Sequence, residues 1–99
     1  MAQILFYDIE ADNLRSKIAD KILRIGFERI QYSVFVGLLD RKRLTLLMEE
    51  LNRLIDTQKY PNDKLYVIEV PVERIQKMKM LGKPLDTDYL TGNKDVLFF

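Results

Sequence analysis

The sequence predicts an α+β domain in which helices cover one face of a β-sheet. Three observations lead to this prediction. Residues 4–9 are apolar except at one position, residues 28–37 alternate with a period of two, and two segments repeat their apolar residues at helical spacing. The patterns follow in the order strand, helix, strand or strand pair, helix, strand, and a further apolar segment ends the chain.

Composition narrows the classes of protein. A chain of 99 residues that is 47% hydrophobic and 31% charged predicts one globular domain over residues 1–99. No histidine or cysteine is present, which excludes His-based catalytic dyads, His-ligated zinc, disulfides and thiolate sites. Without a membrane-length apolar run or a signal sequence, we expect a cytoplasmic protein with no membrane contact. The net charge of +1 is no polyanion-binding signature unless the basic residues share one face.

The first predicted strand, residues 4–9, contains a single acid, Asp8, near its end. A buried central strand has this appearance when it delivers a carboxylate to a functional site. A carboxylate that caps the following turn gives the same pattern. Because the chain lacks histidine, hydrolytic chemistry must rely on carboxylates, hydroxyls, Lys or Arg, and a hard metal ion held by oxygen ligands.

The first helix is predicted to begin at an N-cap at Asp12 or Asn13 and to end at Gly26. Beyond it, the two faces of the alternating segment are Ile30, Tyr32, Val34, Val36 and Arg29, Gln31, Ser33, Phe35. The second face is polar and basic and ends in a phenylalanine that we expect to be exposed or interfacial. One long strand and a tight pair of short strands both fit, since no Asn-Gly or Asp-Gly turn occurs.

The second helix is predicted to begin at Asp40, immediately before the basic run Arg41, Lys42, Arg43. Cations at a helix N-terminus oppose the helix dipole, which hints at an anionic partner; a solvated run of charge gives the same pattern. A strand follows at residues 65–70 and stops at Pro71.

The last third of the chain is harder to assign. Residues 73–81 have apolar residues at helical spacing, and residues 82–93 have loop composition. We expect residues 82–99 to form a loop and a C-terminal strand that packs on its own sheet or on a partner subunit. The whole order predicts a ferredoxin-like βαββαβ sandwich with an extra strand. The sheet face that carries no helices must be covered, and a second copy related by a two-fold axis would cover it.

Several residues together form a recognisable pattern: Tyr7-Asp8-Ile9, Asp12, Arg15, Lys17-Ile18-Ala19, Gly26, Arg29, Gln31, Ser33-Val34-Phe35 and Gly37. The pattern closely resembles the small CRISPR-associated adaptation proteins of the Cas2 family, which accompany the CRISPR integrase. The detailed match covers about the first 40 residues, and the later strand and tail agree in general layout.

The resemblance implies a homodimer of ferredoxin-like subunits in which the terminal strand extends the partner's sheet. It also implies a metal-dependent endonuclease acting on RNA or double-stranded DNA, or a structural bridge between integrase dimers during spacer capture. In this family pattern Asp8 is the metal-site aspartate, one from each subunit near the two-fold axis, with magnesium or another divalent cation shared between the subunits.

The resemblance further associates a set of neighbouring positions with this site: Tyr7, Arg15, Lys17, Arg29, Ser33 and Phe35. Tyr7 and Ser33 would join Asp8 as catalytic residues, and the basic residues would hold phosphate oxygens. Phe35 would stack a base or fill the dimer interface. Two departures are visible: Lys17 stands where some members have arginine, and Val36 replaces an acid often seen after Ser-Val-Phe.

Three functions follow as hypotheses from the sequence. The first is a magnesium-dependent endonuclease that uses paired Asp8 carboxylates. The second is a non-catalytic DNA-bridging subunit of the integrase complex, with Arg15, Arg41, Lys42 and Arg43 on duplex phosphates and the apolar tail on a partner. The third is a toxin-like ribonuclease similar to the virulence-associated D proteins, which share this dimer architecture.

Overall fold

A four-stranded antiparallel sheet with two long helices on one face organises residues 1–87, the part of the chain that the computed structural model describes. The elements are β1 Ala2–Asp8, α1 Asp12–Arg24, β2 Glu28–Gln31, β3 Val34–Gly37, α2 Arg41–Leu54, β4 Lys64–Val70 and α3 Val72–Gln76. The strand order β2-β3-β1-β4 places β1 in the interior of the sheet. The ferredoxin-like βαββαβ prediction is confirmed. The predicted C-terminal strand lies outside the described residues.

The main core lies between the helices and the sheet. Alternate residues of β1 point toward the helices, and Leu5 and Tyr7 pack there against Ile18, Ile22 and Leu51. The fully or nearly buried members of this core are Leu5, Tyr7, Ile9, Ile18, Ala19, Ile22, Phe27, Phe35, Leu39, Leu47 and Leu51. The helical apolar spacing seen in the sequence therefore reports the face that each helix buries.

The helix boundaries follow local backbone chemistry. Gly26 has φ of 109°, a left-handed conformation that ends α1 as expected. Asp40 is the N-cap of α2, and its carboxylate accepts the Arg43 N–H at 2.8 Å. The N-cap prediction for α1 was wrong by a residue or two, because Ala11 holds that position and no side chain caps the helix.

Residues 28–37 form a pair of short strands rather than one long strand. β2 and β3 are joined by a turn at Tyr32 and Ser33, and the pairing register shifts between Arg29 and Gln31. Phe35 lies opposite Leu5 on the helix side of the sheet and has no exposed surface. The expectation of an exposed or interfacial phenylalanine was therefore wrong, because β3 turns this ring into the chain's own core.

The other face of the sheet is apolar and only partly covered. Across this face Phe6 aligns with Val34 and Tyr66, and Ile4 aligns with Ile68. Tyr66 remains 53% exposed and Ile68 49% exposed. The short helix α3 covers one end of the face through Ile75, which packs against Ala2 and Val36. We refer to the half-exposed part, formed by Ile4, Phe6, Val34, Tyr66 and Ile68, as the open face.

Candidate functional site

Asp8 is the last residue of β1 and is exposed on the same side of the sheet as the open face. The strand pairing aligns it with Lys64, the first residue of β4. Within residues 1–87 the Asp8 carboxylate has no hydrogen bond or ion pair. The capping interpretation is thus not supported by the described contacts, and the carboxylate is available to an external ligand.

A single chain offers this carboxylate little help in binding a metal ion. Among the residues that the structure describes, no three Asp or Glu side chains gather closely enough to hold a metal. Magnesium commonly keeps several waters and uses one or two protein carboxylates. An exposed, unpaired Asp8 fits the role of one such ligand, and a second protein ligand would have to come from another chain.

Tyr7 lies on the opposite side of the sheet from Asp8, because consecutive strand residues point to opposite faces. Its ring is buried and stacks on Phe35 with a centroid separation of 5.9 Å and an interplanar angle of 26°. The Tyr7 amide donates to the Ser33 carbonyl at 3.2 Å. The structure therefore brings Tyr7, Phe35 and the Ser33 backbone together, and the sheet separates the side chains of Tyr7 and Phe35 from Asp8.

A cleft of about 260 Å³ opens beside Tyr7 on the helix side of the sheet. Its walls come from α1, β2 and the turn after β2, and it is lined by Tyr7, Arg15, Ser16, Ala19, Asp20, Leu23, Arg29 and Tyr32. Two predicted phosphate-binding residues, Arg15 and Arg29, thus meet in one place. The alternating pattern had assigned Tyr32 to the apolar face with Val34, but the turn carries it into this cleft.

Arg29 is held between two aromatic rings at the edge of the cleft. Its guanidinium carbon lies 5.0 Å from the Phe35 ring centroid and 5.5 Å from the Tyr32 ring centroid. The residue is exposed and forms no ion pair within the described part of the chain. No carboxylate of the described residues therefore neutralises its charge, which is available to an anion.

The Tyr7 hydroxyl is buried beneath this cluster and has no hydrogen-bond partner of ordinary geometry in residues 1–87. Burial raises the pKa of Tyr7 above its ordinary value, and the nearby Arg29 charge opposes this rise. The phenol thus stays neutral at neutral pH, and Arg29 lies close enough to influence its pKa.

Arg15 fastens the first turn of α1 to the end of β1. Its Nη1 donates to the Ile9 carbonyl at 2.9 Å, and its Nη2 forms an ion pair with Asp12. Arg15 therefore holds the segment that follows Asp8, and its charge is already partly balanced. Lys17 lies two residues further along α1 and is exposed. It forms no ion pair with Asp8 or Asp12 in the described part of the chain.

The basic run Arg41, Lys42, Arg43 lies at the other end of the sheet from Asp8. β3 leads into α2 beside the beginning of β1, where Gln3 aligns with Gly37. All three basic side chains are exposed, and Arg43 pairs with Asp40 at 3.4 Å. The structure does not bring this run together with Arg15, Lys17 or Arg29.

Asp63 has a structural role that the sequence did not predict, since the sequence placed it only in a turn. It is buried, and its Oδ1 accepts the Glu10 amide at 2.9 Å, while its Oδ2 has no partner in the described residues. The bond joins the loop after β1 to the loop before β4, so it fixes both strand ends that flank Asp8. Only its place in the Pro-Asn-Asp turn gave any signal in the sequence.

Comparison with known proteins places these features in a family. A family model described as "CRISPR associated protein Cas2" matches residues 1–78. The chain belongs to the Cas2 family. The matched span contains the sheet, all three helices, Asp8 and the cleft residues, so the earlier resemblance to Cas2 is confirmed beyond the first 40 residues.

Two curated Cas2 proteins illustrate the similarity. A protein of Pyrobaculum aerophilum named "CRISPR-associated endoribonuclease Cas2 2" is 36% identical over 84 residues, which cover 85% of this chain and 89% of that protein. A protein of Aeropyrum pernix named "CRISPR-associated endoribonuclease Cas2" is 34% identical over 83 residues, which cover 84% of this chain and 87% of that protein.

Solved structures agree with the Cas2 fold. Cas2 of Streptococcus pyogenes aligns with a TM-score of 0.70 over 83% of this chain and all of that chain, at 17% identity, which compares the fold alone. A hypothetical protein of Thermus thermophilus aligns with a TM-score of 0.69 over 85% of this chain and 94% of that chain, at 32% identity. No helix among the described residues of this Cas2 chain is both long and apolar enough to cross a membrane.

Proposed function

We propose that this chain is a metal-dependent endonuclease of CRISPR adaptation, which cleaves phosphodiester bonds in RNA or DNA and acts with the CRISPR integrase. The family assignment and the endoribonuclease names of its relatives support the activity. The observation that carries the proposal is the exposed, unpaired Asp8 carboxylate beside the open face. It is an oxygen ligand on the surface that a second copy would cover.

The open face is the physical reason for a homodimer. Half-exposed aromatic and aliphatic side chains such as Tyr66 and Ile68 favour burial against a matching apolar surface. A two-fold axis through such a face pairs the same residues from both copies. Because Asp8 ends the central strand on this side, the two Asp8 carboxylates would approach the shared interface, and one divalent cation would relieve their mutual repulsion.

The chain's own groups have separable roles in this proposal. Asp8 would hold the cation, which would supply Lewis-acid polarisation of the phosphodiester and would activate water for attack. Lys64, aligned with Asp8 and exposed, offers a positive charge beside the carboxylate for phosphate oxygens. Arg15 and Asp63 hold the segment after Asp8 in place through Ile9 and Glu10.

The test is cleavage of single-stranded RNA and duplex DNA by wild type, Asp8→Asn and Glu49→Gln, each with magnesium and with EDTA. Glu49 is an exposed acid on α2 and serves as the matched control. We expect Asp8→Asn and EDTA each to lower the rate on the order of a hundredfold or more, the scale for losing a transition-state contact. Equal rates in all samples would reject the proposal.

A DNA-bridging role is the second candidate, and the position of Arg41, Lys42 and Arg43 supports it. These exposed cations lie at the opposite end of the sheet from Asp8. They would therefore contact a duplex beyond the reach of any cleavage site at Asp8. Bridging predicts that duplex binding and integrase association persist in Asp8→Asn, and deletion of residues 95–99 tests whether the apolar tail docks the partner.

A further inference from the structure

The cleft on the helix side of the sheet has the chemistry of a ligand site that Asp8 does not share. It contains one exposed aromatic ring, Tyr32, and one cation without an ion-pair partner in the described residues, Arg29. The other charged groups on its walls are already occupied. Arg15 binds Asp12 and the Ile9 carbonyl, and Asp20 pairs with Arg24 at 3.0 Å.

The positive charge of Arg29 therefore favours an anion at this point of the cleft. Arg29 keeps a planar fork of N–H donors, which suits a phosphate better than a point charge does. The guanidinium carbon lies near the rings of both Phe35 and Tyr32, which limits its movement before any ligand arrives. The buried Phe35 ring stays in place when Tyr32 is changed. The buried Tyr7 hydroxyl beneath it carries no negative charge to compete for the cation.

The exposed Tyr32 ring and the size of the cleft indicate which group is attached to the phosphate of the ligand. Tyr32 is 72% exposed, and its ring borders the cleft, so one aromatic surface is available for stacking. Ala19 and Leu23 add an apolar wall. Stacking on an exposed tyrosine is how proteins commonly hold an unpaired base. The cleft volume of about 260 Å³ lies just below the range of roughly 300–1,000 Å³ for drug-sized ligands, a size that suits one nucleotide unit better than several.

We propose that this cleft binds a single unpaired nucleotide, with its phosphate on Arg29 and its base stacked on Tyr32. The same chemistry is offered by a free 5′-nucleotide and by one nucleotide of a single strand. The site lies on the sheet face opposite to Asp8, so the proposal does not rest on cleavage at Asp8.

The test is binding of four probes in EDTA, followed by amide chemical shifts and calorimetry. The probes are AMP, adenosine, inorganic phosphate and a single-stranded RNA tetranucleotide. We expect AMP to shift the amide signals of Arg29, Tyr32 and Ala19 and to bind more tightly than adenosine or phosphate. If the natural ligand is one nucleotide of a single strand, the tetranucleotide should bind more tightly than AMP. Tighter binding of AMP than of the tetranucleotide would assign the site to a free nucleotide.

Two variants divide the contacts between phosphate and base. Arg29→Gln should weaken AMP and phosphate together, whereas Tyr32→Ala should weaken AMP and adenosine roughly fivefold or more and leave phosphate binding unchanged. Because Tyr32 is largely exposed, its truncation does not threaten the fold. Arg74→Gln, an exposed arginine on α3, is the matched control and should bind all probes like wild type.

Two results would overturn the nucleotide site. One is binding of AMP and the tetranucleotide that is indifferent to both Arg29→Gln and Tyr32→Ala. The other is no binding of either nucleotide probe by the folded wild-type protein. Asp8→Asn should bind AMP like wild type. Cleavage assays therefore test the endonuclease proposal and AMP binding tests the nucleotide site, so that either can fail without the other.

Discussion

The side chains of Tyr7 and Asp8, neighbours on β1, project from opposite faces of the sheet. Tyr7 packs on Phe35 beneath the helices, whereas Asp8 lies exposed on the side of the open face. A single strand thus supplies two surfaces with different chemistry. One is an acid beside an apolar face, and the other is a cationic cleft with an exposed tyrosine.

The first prediction concerns assembly through the open face. Ile68→Lys places a charge in the middle of this apolar surface, and we expect it to convert a dimer into a monomer because burying an unpaired ammonium is costly. Light scattering across a dilution series measures the change. Leu46→Lys is the matched control, since Leu46 is 54% exposed on α2 and Ile68 is 49% exposed. A dimer that tolerates Ile68→Lys would show that the copies meet elsewhere.

The second prediction concerns duplex DNA and the basic run before α2. Replacing Arg41 and Lys42 by glutamine removes two exposed cations. We expect the slope of log affinity against log salt to become shallower by about 2, because each lost phosphate contact releases about one counterion fewer. Fluorescence anisotropy from low to moderate salt gives the slope. An unchanged slope, or the same loss in Lys77→Gln with Lys79→Gln, would assign duplex binding to other residues.

The third prediction concerns the buried amide of Gln3. Its Oε1 accepts the Leu39 N–H at 2.8 Å, and its Nε2 donates to the Leu39 carbonyl at 3.0 Å. Gln3→Leu would leave both buried backbone groups unpaired, at an expected cost of about 1–3 kcal/mol in the free energy of unfolding. Urea denaturation measures the change. Gln76→Leu, at an exposed position at the end of α3, should change stability little; a cost as large as that of Gln3→Leu would contradict the explanation.

The fourth prediction concerns the close approach of β3 and the Phe27 ring. A Cβ built on Gly37 would lie 2.5 Å from Phe27 Cδ1, so Gly37→Ala requires the buried ring to move. We expect a loss of about 1–3 kcal/mol in stability, the usual cost of overpacking. The double variant with Phe27→Leu should recover part of that loss. Purely additive effects in the double-mutant cycle would show that the ring is not the obstacle.

The fifth prediction concerns alkaline pH and Tyr7. Because burial raises the pKa of Tyr7 in the folded state, the unfolded chain loses this proton first as the pH rises. The contribution of Tyr7 is therefore fully present below its unfolded pKa and is lost as the pH rises through the folded value. Tyr7→Phe should show a smaller loss of stability than wild type from pH 9 to pH 11 (roughly the range on either side of the ordinary tyrosine pKa), measured by urea denaturation.

Tyr60→Phe is the matched control for this measurement, because Tyr60 is only partly buried and lies outside the open face. It should follow wild type across the same range of pH. At neutral pH, Tyr7→Phe should be as stable as wild type or slightly more so, since it removes a buried hydroxyl without a partner in the described residues. An alkaline loss in Tyr7→Phe that equals or exceeds that of wild type would contradict the assignment.

Much of the fold was accessible from the sequence because its signals are local. The apolar run at β1, the cap at Asp40 and the glycine at 26 each act within a few residues. The position of Phe35 was not accessible in this way. A register shift between Arg29 and Gln31 and a turn at residues 32–33 interrupt the alternation, and only pairing with β1 decides which face Phe35 occupies.

The candidate site was predictable in part for the same reason. Asp8 stood out because an acid in an apolar strand is conspicuous, and the alternation rule alone already separates it from Tyr7. The meeting of Arg29 with Tyr32 in the cleft, and the absence of Arg41 from its lining, depend on the tertiary arrangement of β2, α1 and α2. Asp63 reaches Glu10 across 53 positions of sequence, so no local pattern reported it.

This last contact has a consequence for local motion. Amide protons in loops usually exchange with solvent quickly, whereas the Glu10 amide is donated to the buried Asp63 carboxylate. It should exchange as slowly as a strand amide and become labile only when the ends of β1 and β4 separate. The rigidity of the strand end that carries Asp8 is thus set by Asp63, which lies 53 positions along the chain from Glu10, and deuterium uptake at Glu10 would report it directly.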